Sequence, residues 1–521
     1  MKFNQPLPTL RNYMGGRAYR LTPEMELYTT VVSTMLDNTY YEKADQRLER
    51  IRALIPQVAP QFVARLAVYT RTQMYLRTVP LVLVVELAKI HCGDDLLRRT
   101  VARVVQRPDE ITELLAYYQR ANDRQGTKQL NRLSKQLQRG LADAFNRFDG
   151  YQLAKYNRAG QVTLRDALFL VHPKAKDLAQ QLLFDQLTAD TLPTPYTWET
   201  ELSALGQQHF DTETLRLHAK AARWEELVES GKMGYMALLR NLRNLIQQAT
   251  PVTVQKVLTV LTEPTRVHNA RQVPFRYLSA YAEVQKLKQE ENLTPAQDAL
   301  ITQTLAALET AVSVAVDNLP ALRGRTLILT DNSGSMRGDA GGSSAVSAMS
   351  RRSTADIANL FAVLCGLKME ATEIGLFGDR LVIPTLDRTQ GVFTNFAHVS
   401  QAGATCGPST EQGIFEMMER LIQEQIHVDR ILIFSDCQIG TGCNWFGRRG
   451  HRADDFNRLF RKYRNWNPAV MTYSIDLRGY GNTLFQEGVV TIGGWSEKIF
   501  DLMVAAERGS DVVAEINQID V

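Results

Sequence analysis

The residues best suited to chemistry in this 521-residue chain stand in one short run, Leu327-Ile328-Leu329-Thr330-Asp331-Asn332-Ser333-Gly334-Ser335. An apolar strand delivers Asp331 to its carboxyl end, and a tight turn follows with hydroxyls at alternate positions, Ser333 and Ser335. In parallel sheets that edge is where ligands bind. One carboxylate and two hydroxyls are hard oxygen donors, suited to Mg²⁺ with its octahedral, partly hydrated shell. Residues 430–436 form a second apolar run that ends in an acid, Asp436, and the loop Gly403-Ala404-Thr405-Cys406 offers a further hydroxyl ahead of a helix. A nucleophilic serine would need glycine two residues before and two after it. Neither Ser333 nor Ser335 has that pattern, and His398, His427 and His451 are scattered. Nucleases usually gather several carboxylates around one or two metals, whereas two aspartates with hydroxyls suit the holding of a ligand.

A second feature is basic. Arg120, Arg124, Lys128, Arg132, Lys135 and Arg139 follow one another at steps of three and four, which on a continuous helix covers one face. Gly126 interrupts the pattern, so the row is secure only from Lys128 onward. Such a row is either a solvated face or a track for phosphates, where each bound cation releases counterions. Beyond it, Phe145, Arg147, Phe148, Tyr151, Lys155, Tyr156 and Arg158 interleave cations with rings, and His172-Pro173-Lys174 follows. That mixture serves single strands and RNA loops, where bases stack on rings. The helical spacing of Phe145, Phe148 and Tyr151 assigns those three rings to a core instead, and His172, alone, reads as a structural residue.

Two unlike parts must position these residues. Residues 1–318 read as helix after helix, with apolar residues at three- and four-residue steps over 24–35, 61–74 and 82–91. Pro56, Pro60, Pro80, Pro108, Pro173, Pro251, Pro264 and Pro274 punctuate these runs as helix breakers. Alternating segments are nearly absent, and helix pairs of roughly 35–45 residues suggest a HEAT-like solenoid. From residue 319 on, short apolar runs at 325–330, 373–377, 430–434 and 470–475 alternate with helical stretches at 353–370, 410–424 and 452–464. This pattern predicts an α/β fold with a mainly parallel sheet.

Composition agrees with a folded multidomain protein: hydrophobic residues make up 44% and charged residues 22%, the balance of ordinary globular chains. No apolar run approaches the ~20 residues a membrane span requires, and the first residues lack the apolar stretch of a secretory signal. Five cysteines without a C-x-x-C pair are expected to be reduced thiols in a cytoplasmic protein. The net charge of +4 is uneven, with 40 Lys+Arg against 33 Asp+Glu in residues 1–320 and 20 against 23 afterwards. That asymmetry points to a polyanion partner for the first part.

The Asp-x-Ser-x-Ser run, the hydroxyl loop and the second acid-tipped strand resemble, in this order, the metal-ion-dependent adhesion site of von Willebrand factor A domains. The resemblance implies a Rossmann-like domain over 319–521 holding Mg²⁺ through Asp331, Ser333, Ser335, Thr405 and Asp436, the last through water. It leaves an open position on the ion for a partner's carboxylate. Cys406 stands where relatives often carry an acid. Residues 139–174, with Leu-Ala-Lys-Tyr-Asn-Arg and Val-His-Pro-Lys, together with 232–243 and 64–87, resemble the TROVE module of the Ro 60 kDa autoantigen family, bacterial or phage type.

That family joins a TROVE module, here 1–318, to an A domain. The resemblance implies an all-α helical-repeat ring that binds Y-type RNA and the single-stranded ends of misfolded non-coding RNA, without catalysis. The implied RNA contacts are Arg139, Arg147, Lys155, Arg158 and Lys174, and the basic row adds Arg132 and Lys135. A cytoplasmic monomer serving RNA quality control, with an exoribonuclease or another protein on the A domain, is the expected setting. Leu164 stands where animal members carry an RNA-binding histidine. The competing reading is an adaptor whose Mg²⁺ grips an acidic partner while the basic helices are only solvated.

Overall fold

The computed structural model describes residues 9–34, 36–122, 133–289, 293–317, 322–338, 344–346, 352–409, 412–440, 453–496 and 498–521. They form two compact units. One comprises residues 1–193, 320–385 and 400–521, the other residues 194–319 and 386–399. The expected boundary at 318/319 lies outside the described residues, and compactness does not follow a single cut in the chain.

The prolines start helices more often than they stop them. Pro60, Pro108, Pro251, Pro264 and Pro274 are the first residues of the helices Pro60–Thr72, Pro108–Ala121, Pro251–Thr262, Pro264–Ala270 and Pro274–Leu287. At that position the missing N–H would have had no partner anyway, and the fixed φ already suits a helix. Successive helices pack side by side. Where the helices Leu96–Val104 and Lys135–Phe145 cross, a Cβ on Gly140 would stand 2.6 Å from Val101 Cβ, so only glycine permits that approach. The second unit is helical as well, from Trp198–Gly206 to Pro295–Ala315, and Glu309 accepts from the Phe393 N–H at 3.0 Å.

Two strands near the N-terminus escaped the periodicity argument. β1 (Thr9–Arg11) and β2 (Arg17–Arg20) are too short to show alternation, and they pair antiparallel. The main sheet contains β3 (Arg325–Asp331), β4 (Ala371–Phe377), β5 (Leu381–Val382), β6 (Arg430–Ser435) and β7 (Met471–Asp476). β8 (Asn482–Thr483) leaves it to pair with β2, and β9 (Val490–Gly493) returns to it. Its order is β5-β4-β3-β6-β7-β9, parallel except for β5. The chain leaves β3 for β4 on one side and returns to β6 on the other. The carboxyl ends of β3 and β6 therefore flank the point where strand order reverses, and crevices open there in doubly wound sheets. The strands are nearly continuous apolar runs because both faces are covered. On one face Leu327, Leu329, Ile431 and Ile433 pack against Phe415, Met418 and Phe456. On the other, Phe361 of the helix Thr354–Lys368 lies 6.0 Å from Phe434, ring to ring.

Candidate functional site

β3 ends on Asp331, which is completely buried. Its Oδ1 accepts from the Ser333 N–H at 3.0 Å, and its Oδ2 accepts from the Ser435 hydroxyl of β6 at 2.8 Å. The Ser333 and Ser335 hydroxyls are 3.3 Å apart. Asp436 follows β6 directly, and Cys437 turns the chain away in a left-handed conformation at φ 62°. Asp436 Oδ1 accepts from the Gln438 N–H at 3.1 Å, while its Oδ2 is buried without a hydrogen-bond partner.

The turn after β3 is held rigidly. Asn332 and Asn359 exchange amide hydrogen bonds of 2.9 and 3.1 Å, and Thr330 donates to Asn359 Oδ1 at 2.9 Å. The Gly334 N–H donates to Pro408 O at 2.8 Å, and Arg337 Nη1 donates to Gly403 O at 3.0 Å. A Cβ on Gly403 would collide with Asn332 Oδ1 at 2.2 Å. The hydroxyl pair is thus fixed by the loop that follows the helix Val392–Gly403.

Burial pushes the Asp331 carboxyl well above the ordinary range, and the charge of Asp436 adds to it; burial does the same to Asp436. Two buried acids beside each other resist joint ionisation, and a divalent ion would remove that repulsion. The donors present fit such an ion: hard oxygens, two acids to balance its charge, and an unsatisfied carboxylate oxygen in Asp436 Oδ2. Among the described residues no group of three or more His, Cys, Asp or Glu is arranged to hold a metal, so an ion here depends on the hydroxyls.

The structure thus gathers Asp331, Ser333, Ser335 and Asp436, and the loop that carries Thr405 packs against their turn through Gly403 and Pro408. Thr405 lies in the loop between the helices Val392–Gly403 and Gly413–Gln423, two residues past the end of the first. It is exposed, and its hydroxyl donates to Ala402 O at 2.8 Å to close that helix end. Thr410, the hydroxyl nearest to the next helix, Gly413–Gln423, lies outside the described residues. One acid was overlooked. Asp476 ends β7, opposite Ser435 in register. Its Oδ1 accepts from the N–H groups of Arg478 at 2.9 Å and Gly479 at 2.7 Å, and its Oδ2 has no partner. Burial pushes its carboxyl up to about 6. The signal was an apolar run ending in an acid at residue 476, the same signal that Asp331 and Asp436 carry.

The basic residues divide by what their charges touch. Lys135 and Arg139 are exposed, one turn apart on the helix Lys135–Phe145. Arg132, Arg124 and Lys128 lie outside the described residues, and Arg120 pairs with Asp45 at 3.2 Å. Arg147 donates to the carbonyls of Ala102 and Val105 at the end of a neighbouring helix, a structural use of its guanidinium. Lys155 lies 5.4 Å from the Tyr151 ring centroid and 5.8 Å from that of Tyr156. Arg158 and Lys174 are exposed. Asn146 holds the loop at Lys174 by accepting from the Lys176 N–H and donating to Lys174 O, both at 2.9 Å.

Phe145 and Phe148 are core residues as expected, but Tyr151 is 43% exposed, because it lies on the outer side of the short helix Gly150–Tyr156. Phe169, 54% exposed, carries Arg165 6.0 Å from its ring. Leu164 is fully buried at the start of the helix Leu164–Val171.

Residues 25–191 and 189–298, more than half of the chain, match the TROVE domain family. Telomerase protein component 1 of Mus musculus is 24% identical over 348 residues, 51% of this chain and 13% of that protein. The same protein of Rattus norvegicus is 23% identical over the same length. The chain therefore spans a small fraction of those two relatives. The RNA-binding protein RO60 of Deinococcus radiodurans is 24% identical over 472 residues, 83% of this chain and 84% of that protein. The crystal structure of the Deinococcus radiodurans RO (RSR) protein matches with a TM-score of 0.57 at 18% identity. It covers 94% of this chain and 99% of that one, so a helical-repeat part followed by an α/β part is the shared fold.

Proposed function

Because the chain belongs to the TROVE domain family, we propose that it is a non-catalytic, cytoplasmic RNA-binding protein of RNA quality control. Its proposed ligands are small Y-type RNAs and the single-stranded ends of misfolded non-coding RNAs. The observation that carries this reading is the stretch 135–176 inside the TROVE match. There Lys135, Arg139, Arg158 and Lys174 are exposed, and Lys155 lies against two tyrosines, one of them open to solvent. Cations track phosphates, and an exposed ring offers a face for a base. With Leu164 buried where animal members of the resembled family carry a histidine, Y-type RNA would be held by the cations and Tyr151 without that contact.

Mg²⁺ belongs to the same proposal, held by Asp331, Ser333, Ser335 and Asp436, with a structural part in the A-type domain. An exoribonuclease or another protein would dock on that domain, and the protein would act as a single copy. The adaptor reading requires an ion with a position open to a partner's acid, yet these four donors are between 0% and 7% exposed.

Binding of a structured RNA with a single-stranded 3′ tail, and of the same RNA without it, tests the reading across a salt series. Tight, tail-dependent binding that weakens with salt and survives EDTA is expected, with the RNA intact after long incubation in Mg²⁺. Tail-independent weak binding would overturn it, and shortened RNA would make the protein a nuclease.

A further inference from the structure

The helix Leu164–Val171 carries apolar residues on two sides. Leu164, Ala167, Leu168 and Val171 recur at steps of three, one and three and are buried, the stripe that an amphipathic helix turns to a core. Arg165 and Phe169, one turn apart, stand on the outer side. Phe169 is 54% exposed, and the Arg165 guanidinium lies 6.0 Å from its ring centroid. A phenylalanine on the outer side breaks the pattern of its own helix. Single exposed apolar residues are common on protein surfaces, so the ring gains meaning only from what surrounds it.

Its surroundings are cationic, and hydrogen bonds fix them. Gln138 Nε2 donates to Leu170 O at 3.2 Å and to Val171 O at 3.3 Å, the two carbonyls that follow Phe169. Lys135 Nζ donates to Gln138 Oε1 at 3.4 Å. The end of the Phe169 helix is thereby tied to the turn that carries the exposed Lys135 and Arg139. Asn146, just past that second helix, holds the loop at Lys174 and Lys176. Residues 135–177 contain eight Lys and Arg against four Asp, and each acid is engaged locally. Asp143 accepts from Arg98 at 2.6 Å, while Asp149, Asp166 and Asp177 accept from backbone N–H groups at helix starts.

We propose that Phe169 is a stacking platform for an unpaired base, with Lys135, Arg139 and Arg165 holding the phosphates on either side of it. The proposal rests on the reading of this stretch as an RNA-binding surface, to which it adds a second ring besides Tyr151. Every base has a π-face, so a bare ring among cations takes any unpaired nucleotide without reading its edge. A stem keeps its base faces inside its own stack, so the platform selects single-stranded segments over duplex.

The test measures binding of the full chain to a single-stranded RNA of uridines and to the same ribose-phosphate strand without bases, across a salt series. The wild type should bind the uridine strand more tightly. Phe169→Ala should weaken binding of the uridine strand roughly tenfold, the size of one lost stack, and leave the base-free strand unaffected. The slope of log affinity against log salt should stay as in the wild type, because no phosphate contact is lost. Phe169→Tyr should keep the wild-type affinity, and Arg139→Ala should weaken both strands and flatten the slope. If the wild type binds and Phe169→Ala weakens both strands equally, or neither, the platform is overturned and the RNA-binding reading stands. If the wild type binds neither strand even at low salt, that reading fails and the platform with it.

Discussion

At the acid-lined edge of the sheet, Asp331 and the Ser435 beside it are 104 residues apart in sequence, and every donor is nearly buried. Between residues 135 and 174, by contrast, Lys135, Arg139, Arg158 and Lys174 come from one stretch of chain and face solvent. The first region is determined by its neighbours: Asp331 is held by the Ser333 N–H and the Ser435 hydroxyl, Asp436 by the Gln438 N–H, and the turn between them by the Asn359 amide. The second is determined by charge, and a side chain with water around it gives up little when it is replaced. Precision and exposure therefore trade against each other in this molecule. A buried polar site tolerates few substitutions, and a basic surface tolerates many while losing its ligand gradually.

The sharpest way to break this contrast is to replace Lys135, Arg139, Arg158 and Lys174 together by alanine. The slope of log affinity for RNA against log salt should flatten by about 3, at roughly 0.7–0.9 per lost phosphate contact. Melting should stay within about 0.5 kcal/mol of the wild type. An unchanged slope would mean that these cations touch no phosphate. Asn359→Leu is the opposite experiment. It strands the polar atoms of Asn332 and Thr330 in the interior and should cost about 3 kcal/mol in urea unfolding, with RNA affinity of the folded fraction intact.

Protonation gives a third handle. The Asp476 carboxyl titrates at about 6 when folded, against an ordinary 3.8, so between those values the folded state binds more protons than the unfolded. Stability of the metal-free protein should therefore fall as pH rises from about 4 to about 6, and stay reduced above. Burial raises the Asp331 and Asp436 carboxyls as well, so Asp476→Asn should make the fall shallower without removing it, by on the order of 3 kcal/mol at neutral pH. Parallel stability curves for the two proteins would show that Asp476 ionises freely.

Two smaller effects separate scaffold from surface within the basic region. Gly140→Ala drives a Cβ into Val101 and should cost about 2 kcal/mol, seen as a lower urea midpoint. Arg147→Ala removes two bonds to helix-end carbonyls and should cost about 1 kcal/mol. It should change RNA affinity less than Arg139→Ala does, and a larger RNA effect from Arg147 would place its guanidinium on phosphate after all.

Much of this was legible from residue order because it is local. The helices of the first part, the apolar strands of the second and the turn Asp331-Asn332-Ser333-Gly334-Ser335 depend on neighbours a few positions away. Exposure of Lys135 and Arg139 follows from helical period alone. Tyr151 was misjudged because a short helix leaves one ring outside while its neighbours Phe145 and Phe148 turn inward. Which helix end Thr405 serves was not legible, because a hydroxyl between two helices can cap either, and only the coordinates show its donation to Ala402 O at the end of the first.

What the sequence determined by itself is the kind of chemistry available: hard oxygen donors at strand ends, and cations with rings on helices. What only the tertiary structure decided is which of those groups meet. Strand order set Asp331 against Ser435 and Asp436, and added Asp476. The folding-back of the chain near residue 12 set Asn12 and Tyr13 against Ile439 and Gln438, next to Asp436. Strand order and long-range docking depend on the sum of many weak burial terms across the whole chain, and no window of sequence contains that sum.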